Sequence, residues 1–362
     1  MARVGGGDWE ITAVAPSFFH GDLREIAVEN YPDELCRLET VRALLSRRIH
    51  VFVYARRLRE LLQRDWDLVH CWEEPYIFAG GQIAWWTPRR VPLVFWTGQS
   101  TFKRYPPPFA QIERYCLSRC AGWMARGDSG EAALLRRGYA CKPHRVMPLG
   151  VDLSRFRPDP SSRAQVHAQL DWKAEGPPIV GYLGRFVDEK GLPLLMRTLD
   201  RVNTPWRALF VGGGPLEPAL RTWAETHSGR VRIVTGVAHD GVPAYLNAMD
   251  LLCAPSRTTT RWREIFGRMI IEAFACGVPV LASDCGEIPN VVRDAGVVVA
   301  EHDEPEWLGA LDHLLRDSSF RDELARRGLE RARAEYAWPV IARRHLDFFT
   351  EILEGAPGAN TA

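Results

Sequence analysis

No Cys-x-x-Cys pair occurs among the eight cysteines of this 362-residue chain. Cys116 and Cys120 stand one helical turn apart in ERYCLSRC, but no histidine or second cysteine pair completes a zinc pattern. They read as helix-face residues in a reducing compartment. Also missing are a secretory leader and any apolar run near the ~18 residues of a membrane span. The expected location is therefore cytoplasmic, with peripheral contact at the inner membrane face left open. An excess of one charge is absent too. With 46 basic and 45 acidic residues the net charge is +1, which gives no electrostatic footing for a nucleic-acid partner. No fixed-period repeat stands out, so a solenoid is not expected.

Present instead are apolar runs bounded by turn residues, alternating with longer amphipathic stretches. WEITAVAP (9–16), DLVHCW (67–72), VPLVFWT (91–97), GWMARG (122–127) and HRVMPLG (144–150) read as buried strands. Helical patterns such as FAQIERYCLSRCA and GEAALLRRGY lie between them. After a linker-like VDLSRFRPDPSSRAQ the alternation restarts, with strands at 178–185, 207–214, 231–236, 250–256, 278–284 and 296–300. WPVIARRHLDFFTEILE closes the chain as one long amphipathic helix. The expectation is an α/β protein of two Rossmann-like domains, 1–165 and 166–335, with a final helix at 336–355. Such sheets bind ligands beyond the carboxyl ends of their strands, so a cleft between the domains is the expected site.

The loops after those strands carry the chemistry. In GYLGRFVDEKG a strand ends at Gly184, and Arg185 and Lys190 follow before a helix. Cations at a helix start oppose its dipole unless an anion joins them, so the pair suits a diphosphate. LFVGGGPLEP tempts a dinucleotide reading, but Glu217 stands where G-x-G-x-x-G needs its third glycine. Gly212, Gly213 and Gly214 are expected instead to let backbone approach a ligand or the neighbouring domain. REIFGRMIIEAFACGVPVLASDCGEIP holds Glu264 and Glu272 eight positions apart. Glu264 reads as a loop residue facing sugar hydroxyls, and Glu272, inside the helix, as an acceptor for a ribose diol. Between them the helix start at Phe266, Gly267 and Arg268 offers free N–H groups to phosphate.

GRFVDEKGLPLLMRTL, LFVGGGPLEPAL, AYLNAMDLLCAPS and the E-x7-E stretch from Glu264 to Glu272 together resemble the retaining glycosyltransferases of family 4. RRGY and VMPLGVDLSRFRPDP also match that family's interdomain approach. The resemblance covers nearly the whole chain and is strongest from 178 to 300. It implies a GT-B fold, an acceptor-side first domain, a nucleotide-sugar-binding second domain, and a final helix crossing back to the first. It implies transfer of a sugar from a nucleoside diphosphate sugar to a glycan, lipid-linked or small-molecule acceptor, with retention. Arg185 and Lys190 would hold the diphosphate, Glu272 the ribose, and Glu264 the transferred sugar and the charge at its anomeric carbon. The backbone of Phe266 and Gly267 would complete the phosphate site, and Val237 would contact the base. No metal or other cofactor is implied, in keeping with the absence of a D-x-D-type site near these motifs.

Two departures stand out. MARVGGGDWEITAVAP reads as the tail of a first helix followed by a second strand, so the first β-α unit is expected to be missing, with a true start about 30 residues upstream. Many family members also place a histidine after the strand VPLVFWT, where this chain has TGQSTFKRYPPPF. Gln99, Lys103 and Tyr105 there, with Arg104 and Phe102, are acceptor-side candidates, as are Glu73 and its neighbours His70 and Glu74 in HCWEEPY. Two rival readings stay open at this point. One is a non-catalytic nucleotide-sugar or glycan binder of the same fold; the other is an NAD-dependent oxidoreductase.

Overall fold

The computed structural model describes residues 1–20, 25–28, 35–173, 175–227, 229–260 and 262–355. The chain divides into two compact units, Met1–Pro148 with Ile341–Ala362, and Leu149–Val340.

The second unit follows the expected alternation closely. Its strands are β11 (Ile179–Arg185), β12 (Arg207–Gly213), β13 (Val231–Val234), β14 (Leu251–Ala254), β15 (Val280–Ser283) and β16 (Val297–Val299), numbered after ten in the first unit. They form one six-stranded sheet in the order β13-β12-β11-β14-β15-β16, parallel throughout. Counted within the unit this is 3-2-1-4-5-6, the Rossmann order, with its reversal between β11 and β14. Both faces are covered. Along β12, Ala208 and Phe210 enter one apolar cluster while Leu209 and Val211 enter the other. That period of two explains why these strands read as continuous apolar runs. Local signals close the helices. Asp159 caps Pro160–Gln169 by accepting from the Ser161 and Ser162 N–H groups, with proline in the first turn. Asp303 and Asp317 cap Glu304–Arg316 and Ser318–Arg331 in the same way. Val151 and Phe156 lie in this unit's core. The polar stretch at 149–165 therefore packs with the second unit, and the contacts break at Pro148/Leu149.

The first unit is more fragmented. Its strands are β1 (Thr12–Pro16), β2 (Phe18–His20), β3 (Glu25–Ala27), β4 (Arg37–Val41), β5 (Ala43–Leu44), β6 (Val53–Tyr54), β7 (Val69–Cys71), β8 (Leu93–Thr97), β9 (Gly122–Ala125) and β10 (His144–Val146). The last four make a parallel sheet in the order β10-β9-β8-β7, as the apolar runs predict. The others form three separate two-stranded pairs: β1 with β4 in parallel, and the hairpins β2-β3 and β5-β6. The final helix, Trp338–Glu354, starts in the second unit and from Ile341 belongs to the first. There it buries His345, Leu346, Phe348 and Phe349, with Phe349 against His70 of β7. All eight cysteines are free, and Cys116 and Cys120 are buried at the helix Phe109–Arg119.

Candidate active site

In the second unit the loops following β11, β12 and β14 meet. The Arg257 N–H donates to the Glu189 carbonyl at 2.9 Å, and Arg257 pairs with Asp188. The glycine-rich loop after β12 serves this packing. A Cβ on Gly212 would lie 1.8 Å from the Gly184 carbonyl oxygen. At Gly212 the close approach is therefore to the paired strand β11, while a Cβ on Gly213 would meet nothing within 4 Å.

Glu264 sits at this junction with its side chain 7% exposed, ion-paired through Oε2 to Lys190 Nζ, whose side chain is 16% exposed. The Ser256 hydroxyl donates to the same oxygen at 3.2 Å. Lys190 Nζ also lies 4.9 Å from the centroid of Trp262, a cation–π contact. The backbone of Glu264 is held as firmly. Its carbonyl accepts from the Glu287 N–H at 3.0 Å. A Cβ on Gly286, which has φ +63°, would lie 2.0 Å from that carbonyl oxygen, so only glycine fits there. Arg185 is half-exposed and only loosely engaged, with Nη2 4.0 Å from Glu189 Oε1. The Tyr182 phenol beneath it donates to the Arg185 carbonyl at 2.8 Å. Burial pushes that phenol's pKa well up, and the Glu264 carboxylate adds to the shift.

Glu272 is buried inside the helix Arg268–Ala275. Its Oε1 accepts from Arg268 Nη2 and lies 3.2 Å from His239 Nε2; the arginine contact is also 3.2 Å. Arg268 Nη2 is 3.2 Å from the same His239 nitrogen. With its proton on Nε2 the imidazole donates to the carboxylate, so His239 and Arg268 both donate to Oε1 and the contact between them is not a hydrogen bond. Both contacts are on Oε1; among the described residues Oε2 accepts no hydrogen bond from another side chain. Gly267 starts the helix in the left-handed conformation without a side-chain cap, beside the Glu264 Cγ, which a Cβ there would approach to 3.7 Å. Phe266 is buried and meets Tyr336 edge-on at 6.0 Å, so its backbone alone is open to a ligand. Val237 follows β13 and is half-buried against the core.

The acceptor-side candidates lie in the first unit. Gln99 is engaged on every side. Its Nε2 donates to Glu113 Oε1 at 3.3 Å and reaches Glu74 Oε2 at 3.5 Å, while its Oε1 accepts from Tyr105 at 3.0 Å and from Arg137 Nη1 at 2.5 Å. Arg137 also pairs with Glu113 at 2.6 Å and donates to the Lys103 carbonyl at 2.8 Å. Tyr105 stacks on Tyr76 at 4.2 Å. Glu74 accepts from Thr97 Oγ1 and the Gly98 N–H at 2.5 and 2.7 Å. Glu73 stands apart, accepting from the Tyr54 hydroxyl at 2.5 Å. Burial raises the carboxyls of Glu73, Glu74 and Glu113 above the usual range. Phe102, Lys103 and Arg104 are exposed.

Sequence reasoning missed His239, Ser256, Trp262, Glu113 and Arg137. His239 lies in the loop after β13 and was open to the strand-end argument. Glu113 comes from the helix Phe109–Arg119 and Arg137 from the turn after the helix Asp128–Leu135, and neither position by itself marks a site. Among the described residues no group of three or more His, Cys, Asp or Glu could hold a metal ion, and no helix is long and apolar enough to cross a membrane.

Two family models match the chain: Glycosyltransferase Family 4 over residues 8–155, and Glycosyl transferases group 1 over residues 177–317. A D-inositol 3-phosphate glycosyltransferase of Salinispora tropica is 30% identical over 374 residues, covering 91% of this chain and 71% of that protein. A GDP-mannose-dependent phosphatidylinositol monomannoside mannosyltransferase of Mycobacterium tuberculosis is 32% identical over 211 residues, 56% of this chain and 54% of its own. Among solved structures, Anabaena HepE in complex with UDP and glucose superposes with a TM-score of 0.70 at 18% identity, covering 88% of this chain and 87% of that one. Sucrose-phosphate synthase from Thermosynechococcus elongatus gives 0.70 at 22%, covering 97% and 90%. At such identities these two likenesses carry the fold.

Proposed function

The chain belongs to glycosyltransferase family 4, with the GT-B fold, and is a retaining glycosyltransferase using a nucleoside diphosphate sugar; on that premise we propose how its residues divide the work. Arg185 and Lys190 hold the diphosphate, with the uncapped helix start at Gly267 and Arg268 beside them. Glu272 binds the ribose diol through Oε2, while Arg268 and His239 fix its other oxygen. Glu264 receives hydroxyls of the transferred sugar and faces the positive charge that develops at the anomeric carbon. The leaving diphosphate is stabilised by fixed cations and N–H groups already in place, so little reorganisation is needed at the transition state. Val237 lies near the base. The observation that carries this reading is the joining of Lys190 and Glu264, 74 residues apart, at the meeting of strand-end loops.

For the acceptor we propose a hydroxyl of an inositol-type polyol bearing phosphate, free or lipid-linked. The relatives named for inositol 3-phosphate and for a phosphatidylinositol mannoside support it. Of the acceptor-side candidates, Lys103 and Glu73 meet the acceptor in this reading, while Gln99 and Tyr105 hold the loop that carries Lys103. The β5-β6 hairpin supports peripheral membrane contact. Six arginines and no acid lie between positions 42 and 59. Leu45 and Ile49 at the tip are 66% and 53% exposed. Leu45 also has φ +59°, a conformation leucine adopts at a cost. Exposed leucine and isoleucine among cations suit an anionic lipid surface.

Thermal shift with UDP-, GDP-, ADP- and TDP-sugars and with NAD, on wild type and Glu272→Ala, tests the donor site. A ligand at a hundredfold its Kd adds roughly 2.7 kcal/mol. Stabilisation by one nucleotide sugar, lost in the variant, is expected. Stabilisation by NAD alone would overturn the reading, and stabilisation by none would favour a non-catalytic binder of some other ligand.

A further inference from the structure

The Lys190–Glu264 pair has a consequence for the end of the catalytic cycle, and it rests on the donor reading above. Glu264 is almost wholly buried, and a buried carboxylate without a counter-charge or hydrogen bonds is costly. Among the described residues its contacts are two, Lys190 and the Ser256 hydroxyl, both on Oε2. Lys190 is also the cation that a diphosphate would claim.

We infer that Glu264 and the diphosphate compete for Lys190, and that the transferred sugar decides the contest, so that Glu264 drives release of the nucleoside diphosphate after transfer. With an intact nucleotide sugar bound, sugar hydroxyls donate to Glu264 and Lys190 is free to turn to phosphate. Both charges are then satisfied. Once the sugar has moved to the acceptor, those hydroxyls leave with it. Glu264 is again buried with only the Ser256 hydroxyl as donor, and it recovers Lys190 at the expense of the phosphates. The bare diphosphate is thereby held less tightly than the donor that delivered it. Trp262, lying against the Lys190 ammonium, keeps the lysine head near both partners in either state.

Isothermal titration with UDP, GDP, UDP-glucose and GDP-mannose on the whole chain tests this. Wild type is expected to bind the nucleotide sugar several-fold more tightly than the matching diphosphate. In Glu264→Gln, which keeps the shape and removes the charge, the diphosphate should bind roughly tenfold tighter, the scale of one charge-assisted hydrogen bond. The preference for the sugar form should vanish, and turnover should fall. Placing Lys190→Ala under Glu264→Gln completes a double-mutant cycle. The gain should disappear there, because no lysine remains to be released. Ser256→Ala removes the other donor to Oε2, should raise the demand on Lys190, and should weaken diphosphate binding several-fold. Unchanged or weaker diphosphate binding in Glu264→Gln would overturn the inference. So would a gain that persists without Lys190, which would mean direct repulsion between carboxylate and phosphate, or tighter binding in Ser256→Ala. Should wild type bind none of the four, the donor reading itself falls first.

Discussion

The acids of the two units are buried to similar degrees but partnered differently. In the second unit Glu264 has one lysine and one hydroxyl, and Glu272 has both of its contacts on a single oxygen. These are arrangements a ligand can take over: a phosphate replaces a carboxylate on Lys190, and a diol finds Glu272 Oε2 free. In the first unit Glu74, Gln99, Glu113, Arg137 and Tyr105 satisfy one another. A saturated network gives little to an incoming molecule, and its value lies in holding the loop after β8 in one shape. Burial alone therefore does not mark a binding residue; what distinguishes the two regions is whether hydrogen-bonding capacity is left over.

The largest expected effect tests that contrast directly. Arg137→Met strands Glu113 and unbinds Gln99 in a pair whose side chains are each only 7% exposed. Breaking such a pair should cost about 3–5 kcal/mol in denaturant unfolding, while the nucleotide-sugar thermal shift keeps its size. A loss under about 1 kcal/mol would mean the network is not saturated and would bring Gln99 back as a ligand-binding group. Next is the exposed hairpin of the first unit, which differs from that network in having cations without acids. Arg47→Ala with Arg48→Ala should weaken binding to vesicles containing phosphatidylglycerol roughly 30-fold, at about 1 kcal/mol per arginine. Equal binding to neutral and anionic vesicles, or none by wild type, would remove the membrane reading.

The smallest expected effect concerns pH. His70 lies against His345 of the final helix, ring centroids 5.5 Å apart. Burial, with His345 adding to it, lowers the His70 pKa from 6.5 to about 3. Unfolded His70 binds its proton below about 6.5 and folded His70 does not. Stability is therefore lost as pH falls below that value, by about 1 kcal/mol between pH 6 and 5. Glu73, Glu74 and Glu113 act in the opposite sense, since their raised carboxyls take up protons in the folded state as pH falls. His70→Phe should flatten the acid limb of a stability–pH curve between pH 6 and 5. An unchanged slope would show that the pair is hydrated and titrates normally.

Strands buried on both faces were legible because their composition alone marks them. All six strands of the second unit and the four of the larger first-unit sheet fall inside apolar runs. The hairpins β2-β3 and β5-β6 and the pairing of β1 with β4 were not legible. FFH, AL and VY are too short to show a period, and their pairing depends on which residues the chain brings opposite. The same divide runs through the site. Arg185, Lys190, Glu264 and Glu272 stand in loops and a helix start whose position after a strand is itself a signal. His239 had that signal too. Gln99 was singled out for its loop, but its partners Glu113, on a helix face, and Arg137, in the turn after Asp128–Leu135, would each pass for a surface charge.

By itself, then, the sequence determined the α/β class, the two Rossmann-like halves and the residue types proposed to meet a nucleotide sugar, because strand burial and strand-end chemistry are local properties of the chain. Only the tertiary structure decided which charges share a partner. Lys190 meets Glu264 across 74 positions and Arg137 meets Glu113 across 24. Pairings of that kind are set by how strands order themselves in a sheet, and a buried charge takes whichever counter-charge the packed backbone delivers.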